Sequence, residues 1–262
     1  MTPRPSDGAT SESGPEPEVW FSAVEPGVLA VSWAADVIAT DVRQAVGAVL
    51  ADGQAERVVA RVPVADRRGV SIAGRAGLRK EGVERGVPGL GDVVRLARLA
   101  ADPEPTTAEG FRGVLNAGLN RTRVIAQVLV TDEVGRVLLC ELTYKTYWDL
   151  PGGVVDPHES PAAGAAREVL EELGVEITVE DLLVVSWLPP WQGWDDACLF
   201  LFRAAAPSDV VEAAMLEHRE IAALHWCPPE DLDEHVADYT ARLVRAALEA
   251  TEPLYLEDAR PR

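Results

Sequence analysis

Cysteine is scarce: three residues in 262, Cys140, Cys198 and Cys227, an odd number set far apart within apolar stretches. That spacing argues against a disulfide framework or a cysteine metal site and for free core thiols in a reducing compartment. Long apolar runs are missing too. Nothing nears the roughly eighteen uninterrupted apolar residues of a membrane-spanning helix, so no membrane partner is expected. The opening stretch, MTPRPSDGATSESGPEPE, lacks the apolar centre of a secretion signal. Residues 1–18 therefore read as a disordered acidic tail, and the chain as cytoplasmic. Basic charge is also short: 24 Lys and Arg stand against 43 Asp and Glu, a formal net charge of −19. Such a field repels a phosphate backbone, so no nucleic-acid polymer is expected as a partner. A small phosphorylated ligand is still allowed, because bound divalent cations invert the local field. No internal repeat is evident, and a homodimer is compatible with the composition.

What is present is an ordinary apolar share, 47%, and enough length for one or two cores. One stretch dominates: Gly152 to Val175, GGVVDPHESPAAGAAREVLEELGV. Pro151-Gly152-Gly153 breaks any regular element, Ser160-Pro161 starts a helix and Gly174 stops it. Within Pro161–Leu173, Ala162, Ala166, Val169 and Leu173 share one narrow stripe, the buried face. Glu168 and Glu172 lie one turn apart on another face, with Glu171 beside them. Like charges at these spacings repel, so three acids on one turn require a reason. A solvated acidic face is one. Holding a hard divalent cation, which takes oxygen ligands, is the other. Arg167, one turn from Glu171 and two from Glu159, can grip both carboxylates and orient ligands.

The frame decides between them. From Gly153 it runs Gly, five residues, Glu159, seven residues, Arg167-Glu168-Val169, one residue, Glu171-Glu172, one residue, Gly174-Val175. Chance should fill these positions in fewer than about one in a million such chains. The pattern resembles the Nudix box, complete, and the chain is similar to Nudix hydrolases from about residue 111 to 252; Trp148-Asp149-Leu150-Pro151-Gly152-Gly153 also resembles that family's lead-in. The resemblance implies an α/β/α sandwich with a mixed sheet. It implies Mg²⁺ or Mn²⁺ held by Glu168 and Glu172, with Glu171 a third ligand and the Gly152 carbonyl contributing. Arg167, Glu159, Gly153 and Gly174 would support the box. The activity implied is hydrolysis of a nucleoside diphosphate linked to another moiety, with a small nucleotide as substrate. The general base stays open between Glu171, Glu172 and a later acid, Glu220 or then Glu217. Trp191 and Trp194 could stack a base or could be packing. Pro190 fits a family marker for ADP-ribose, and a purine nucleoside triphosphate is the equal competitor. His158, His218, His225 and His235 show no ligand spacing. A domain that senses a nucleotide without cleaving it is the alternative; the full acid cluster argues against it.

Before the box, strand and helix patterns alternate: Val28–Trp33, a helix from Thr40 or Asp41 to Leu50, Arg57–Val64, a helix opened by Asp66, then strands at Leu78–Glu84 and Asp92–Leu99. Ala65-Asp66-Arg67-Arg68, Arg75-Ala76-Gly77-Leu78 and Glu81-Gly82 resemble the second half of GNAT acetyltransferases, over residues 19–101. The family's phosphate loop is glycine-rich, whereas Ala34 to Thr40 holds no glycine here. The reading is a small α/β half-domain, structural or regulatory. Residues 102–110 (DPEPTTAEG) read as a linker, and 253–262 as a tail. Beyond the box, strands are expected at Ile177–Trp187, Ala197–Phe202 and Leu224–Cys227, and a closing helix at Ala237–Ala250.

Overall fold

The computed structural model describes residues 18–261; apart from Glu18, the tail expected over 1–18 lies outside them. The chain divides into two compact units, meeting between Asn120 and Arg121.

In the first unit, β1 (Val19–Glu25) and β2 (Val28–Trp33) form a hairpin, followed by α1 (Ala39–Ala51), β3 (Arg57–Pro63), α2 (Arg67–Arg75), β4 (Arg79–Val87), β5 (Gly91–Leu99) and α3 (Ala108–Gly118). The sheet order is β1-β2-β3-β5-β4, with β2 and β3 parallel and the other pairs antiparallel. Strand β1 adds an edge that the alternation of the sequence did not reveal. Val42, Val46, Val58, Ala60, Ile72, Leu78 and Leu96 build the core. Asp66 caps α2, accepting from the Gly69 amide at 2.8 Å. A Cβ at Gly69 would fall 2.3 Å from the Asp66 carboxylate, which is why the capping turn has glycine there.

The expected linker at 102–110 is corrected. Two of its three acids are paired within the first unit, Asp102 with Arg79 at 3.1 Å and Glu104 with Arg98 at 2.7 Å. Thr107 caps α3, which packs on β4 and α2. A segment that reads as a polar spacer is thus tied down by non-local ion pairs, and the division falls ten residues later than residue 110.

The second unit runs β6 (Arg123–Leu129), β7 (Val137–Leu142), β8 (Gly152–Val154), α4 (Pro161–Leu173), β9 (Thr178–Leu188), β10 (Ala197–Ala205), α5 (Val210–Ala213), β11 (Ile221–Cys227), α6 (Leu232–His235), α7 (Asp238–Glu249), β12 (Leu254–Glu257) and β13 (Arg260–Pro261). A six-stranded mixed sheet has the order β13-β12-β9-β10-β6-β8, and β11 pairs with β7 separately. Alternation along β6 sorts the two faces. Ile125 and Leu129 join Leu199, Leu201, Leu243 and Val244 on the α7 side. Ala126 and Val128 join Ala165, Val169 and Leu173 on the α4 side. Helices thus cover both faces of a mixed sheet.

The tail expected at 253–262 is also corrected: Leu254–Glu257 runs parallel to β9, from Leu254 beside Val184 to Glu257 beside Trp187. Leu256 is 1% exposed in the core under α7. Replacing Leu256 with Ala should cost about 2–5 kcal/mol, read as a lower denaturation midpoint; unchanged stability would mean that the strand is dispensable. Among the described residues, no helix is long and apolar enough to cross a membrane.

Candidate active site

Helix α4 begins and ends where its signals stand. Ser160 caps it, accepting from the Ala163 amide at 3.3 Å, and Pro161 occupies the first turn. Gly174 closes it in the left-handed region at φ 66°. A Cβ there would lie 2.9 Å from that of Met215, because the 215–217 segment caps the helix: the Met215 amide donates to Leu173 and the Glu217 amide to Glu172, both at 2.8 Å.

Arg167 organises the acids. Its Nε and Nη2 donate to the two Glu159 oxygens at 3.0 Å, its Nη1 to Glu168 at 2.9 Å and Glu171 at 3.0 Å, and its Nη2 also to the Val154 carbonyl at 3.2 Å. This planar fork pulls the Glu159 carboxyl below its usual range. Glu159 in turn accepts from the Asp156 amide at 3.1 Å, closing the loop that leads into α4.

The backbone before the helix is shaped for the acids. A Cβ on Gly153 would sit 2.7 Å from the Glu168 carboxylate, and one on Gly152, at φ 121°, only 2.3 Å from the Ala126 carbonyl oxygen. Gly153→Ala should therefore push Glu168 aside and lower kcat at least about tenfold, with the fold kept, which circular dichroism beside a rate assay would check. The backbone of Gly152, whose carbonyl the resemblance nominates as a ligand, also lies against Glu172 and lowers that carboxyl in part.

Glu168, Glu172 and Glu220 meet at one end of a cleft of about 1100 Å³. Burial, then the charges of Glu168 and Glu220, push the Glu172 carboxyl up to about 7. Burial also raises Glu168, against the pull of Arg167. Glu220 reaches this cluster from the turn before β11; Glu217 does not line the cleft. Glu171, whose side chain is 61% exposed, points to Arg167.

Deeper in the cleft lies a polar floor that the motif did not announce. Gln127 donates to Asp149 at 3.1 Å, and Lys145 holds the other Asp149 oxygen at 3.1 Å. A lone glutamine inside the apolar run TRVIAQVLV was the available signal. Trp148, next to Asp149, is stacked between His225 and His235, 4.0 Å from each ring centre, so those two histidines pin the lead-in to the box.

Trp191 and Trp194 both line the cleft, flanking a tight turn in which each amide donates to the other's carbonyl. Trp191 meets Tyr239 edge-on at 5.8 Å, and the Arg123 guanidinium lies 4.8 Å over Trp194. Pro190, the expected marker, is not among the lining residues; its neighbour Pro189 is. Arg242, Asp258 and Arg260 complete the far wall.

Among the described residues, no three His, Cys, Asp or Glu side chains stand close enough to enclose a metal ion. Glu168 and Glu171 spend oxygens on Arg167, and closing three carboxylates around one ion requires Glu171 to turn away from it. The chemistry of the donors nevertheless fits a hard cation. They are carboxylate oxygens, partly desolvated and crowded enough to raise one another's proton affinity.

A helix whose acids frame a large cleft, on a mixed sheet covered on both faces, describes a site suited to a hard cation and its anionic ligand. A family model for the NUDIX domain matches residues 121–247. A MutT-like protein of Streptomyces ambofaciens is 31% identical over 153 residues, 58% of this chain and 88% of that protein. An RNA pyrophosphohydrolase of Roseobacter denitrificans is 30% identical over 121 residues, 40% of this chain and 74% of that protein. A CTP pyrophosphohydrolase of Escherichia coli is 30% identical over 112 residues, 41% and 76% of the two chains. Among solved structures, a MutT protein from Methanosarcina mazei overlays on 52% of this chain and 100% of its own, with a TM-score of 0.43 and 24% identity. The chain belongs to the Nudix family of hydrolases.

Proposed function

We propose that the second unit is a divalent-metal-dependent pyrophosphohydrolase, cleaving the pyrophosphate linkage of a nucleoside diphosphate linked to another moiety by attack of water at phosphorus, which releases a nucleotide and a phosphorylated remainder. The substrate is ADP-ribose-like or a nucleoside triphosphate. The observation that carries the reading is the meeting of Glu168, Glu172 and Glu220 with the bare Gly152-Gly153 backbone at one end of the cleft. Nudix proteins in general use divalent metals. Here Glu168 and Glu172 would hold Mg²⁺ or Mn²⁺, with Glu171 and Gly152 as further donors, and the ion supplies Lewis-acid neutralisation of the anhydride oxygens.

The chain's own groups do the rest. Arg167 keeps Glu168 in place, the glycines leave room for phosphate oxygens against the backbone, and an acid takes the proton of the attacking water. Glu172 and Glu220 line the cleft and are the nearest candidates, and Glu171 would serve only after turning from Arg167. If Glu220 is the base, Glu220→Gln should lower kcat by about 10²–10⁴-fold; an unaltered kcat would pass the role to the helix acids. The aromatic pair Trp191 and Trp194 offers surface for the base of the nucleotide. The first unit is read as a GNAT-like half-domain with a structural or regulatory role, and micromolar binding of acetyl-CoA to it would overturn that.

The test of the whole reading is a panel of nucleoside triphosphates, ADP-ribose, NADH and dinucleoside polyphosphates incubated with Mg²⁺. Turnover of any member supports it. Tight binding of one without turnover supports a sensor.

A further inference from the structure

The family match ends at residue 247, yet the cleft does not. Its far wall is made by the β12–β13 hairpin, where Glu257 pairs with Arg260 across a two-residue turn. Both turn residues, Asp258 and Ala259, are in the left-handed region, at φ 53° and 54°, and neither is glycine. Such backbone is unfavourable, most of all for alanine, and persists only where the surroundings enforce it. They do so here. The Asp258 amide donates to the Trp187 carbonyl at 2.8 Å, and the Ala259 amide to the buried Ser186 hydroxyl at 3.2 Å.

The result is a pair of guanidiniums on the cleft wall, with the carboxylates of Asp238 and Asp258 beside them, in a chain of net charge −19. Arg242 donates through Nη2 to the Asp258 carbonyl at 3.0 Å and to its carboxylate at 3.2 Å. Arg260 stands 4.0 Å from the same carboxylate, its side chain 65% exposed. Asp258 thus holds two guanidiniums side by side and can neutralise one of them. Strand register sets the distance from the acids. Gly152 pairs with Gln127, four residues along β6 from Arg123, and three strand spacings separate β6 from β12. At about 3.3 Å per residue and 4.8 Å per strand, the two ends of the cleft are roughly 20 Å apart. That span exceeds a pyrophosphate and reaches the far part of a two-moiety substrate.

We propose that Arg242 and Arg260, set by the Asp258–Ala259 turn, form a second, anion-binding subsite that takes a phosphate monoester on the substrate's far moiety. The proposal rests on the pyrophosphohydrolase reading for what lies at the near end. Carboxylates there and guanidiniums here orient the substrate, because a monoester dianion is attracted to one end and repelled, without metal, by the other.

The matched probes are ADP-ribose and ADP-ribose 2′-phosphate, which differ by one monoester. Their affinities for the full chain are compared by titration calorimetry in EDTA, where turnover is suppressed. The wild-type protein should bind the phosphorylated compound about tenfold tighter or more. Arg260→Gln, at an exposed position where folding is preserved and checked by thermal melting, should bring that ratio close to one. Equal affinities in the wild type, a ratio untouched by Arg260→Gln, or no binding of the phosphorylated compound below millimolar concentration would overturn the subsite. Hydrolysis with Mg²⁺ is scored separately: if neither compound turns over, the cleavage reading suffers, while the affinity ratio still decides the subsite.

Discussion

Glu172→Gln should lower kcat by about three orders of magnitude, a loss of roughly 4 kcal/mol of transition-state stabilisation, while leaving the metal-free protein no less stable at pH 8. The two halves come from the same placement. Glu172 is buried beside Glu168 and Glu220, which lifts its carboxyl from an ordinary value of 4.5 to about 7. Between those pH values the folded protein keeps a proton that the unfolded chain has released. Stability of the EDTA-treated protein should therefore fall as pH rises from about 4.5 to about 7, and level off above. Glutamine cannot ionise, so the variant should lose this contribution to the decline. A metal ion that replaces the proton gains as the carboxyl ionises, so Mn²⁺ should raise the melting temperature more at pH 8 than at pH 5. Thermal melts across pH, with and without Mn²⁺, check each part. An E172Q protein with near-normal turnover would remove Glu172 from the reaction.

Arg167→Lys should raise the Mn²⁺ concentration for half-maximal activity by about 10–100-fold, the usual cost of losing a group that orients metal ligands. The charge survives but the fork does not. One ammonium cannot reach both Glu159 oxygens, Glu168, Glu171 and the Val154 carbonyl as the guanidinium does. Freed from Arg167, Glu168 and Glu171 would sample several rotamers, so the ion must first order them. Metal titrations of activity that superimpose for wild type and R167K would show that the arginine network is not what positions the acids.

Much of this site was legible because its signals are local. Ser160-Pro161 and Gly174 bound α4 at the residues where the structure starts and stops it, and spacing alone put Glu159 within reach of Arg167. Glu220, nominated through the family resemblance by its place before a late strand, and Trp191 and Trp194, nominated by their crowding, all line the cleft. What escaped depends on distant partners. Leu254 and Leu256 alternate over only four residues, too few to announce a strand, and their partner β9 lies some seventy residues earlier. Arg242, Asp258 and Arg260 come together only once that strand is laid down. The segment at 102–110 has a spacer's composition, and only its pairing with Arg79 and Arg98 makes it part of the first unit. Asp149 carries no signal of its own in the lead-in to the box, but its bonds to Gln127 and Lys145 make it part of the cleft floor. Pro190 was a marker implied by the family resemblance alone, and the residue that lines the cleft is its neighbour Pro189.

The central claim is that the acidic edge of α4 takes up a divalent ion for the cleavage of a phosphorus anhydride. Electron paramagnetic resonance of Mn²⁺ added to EDTA-stripped protein measures that uptake directly, with the wild type set beside a Glu168→Gln, Glu172→Gln double variant. The account predicts bound Mn²⁺ in the wild type and its loss in the variant at equal metal concentration. Identical binding curves for the two proteins would contradict it.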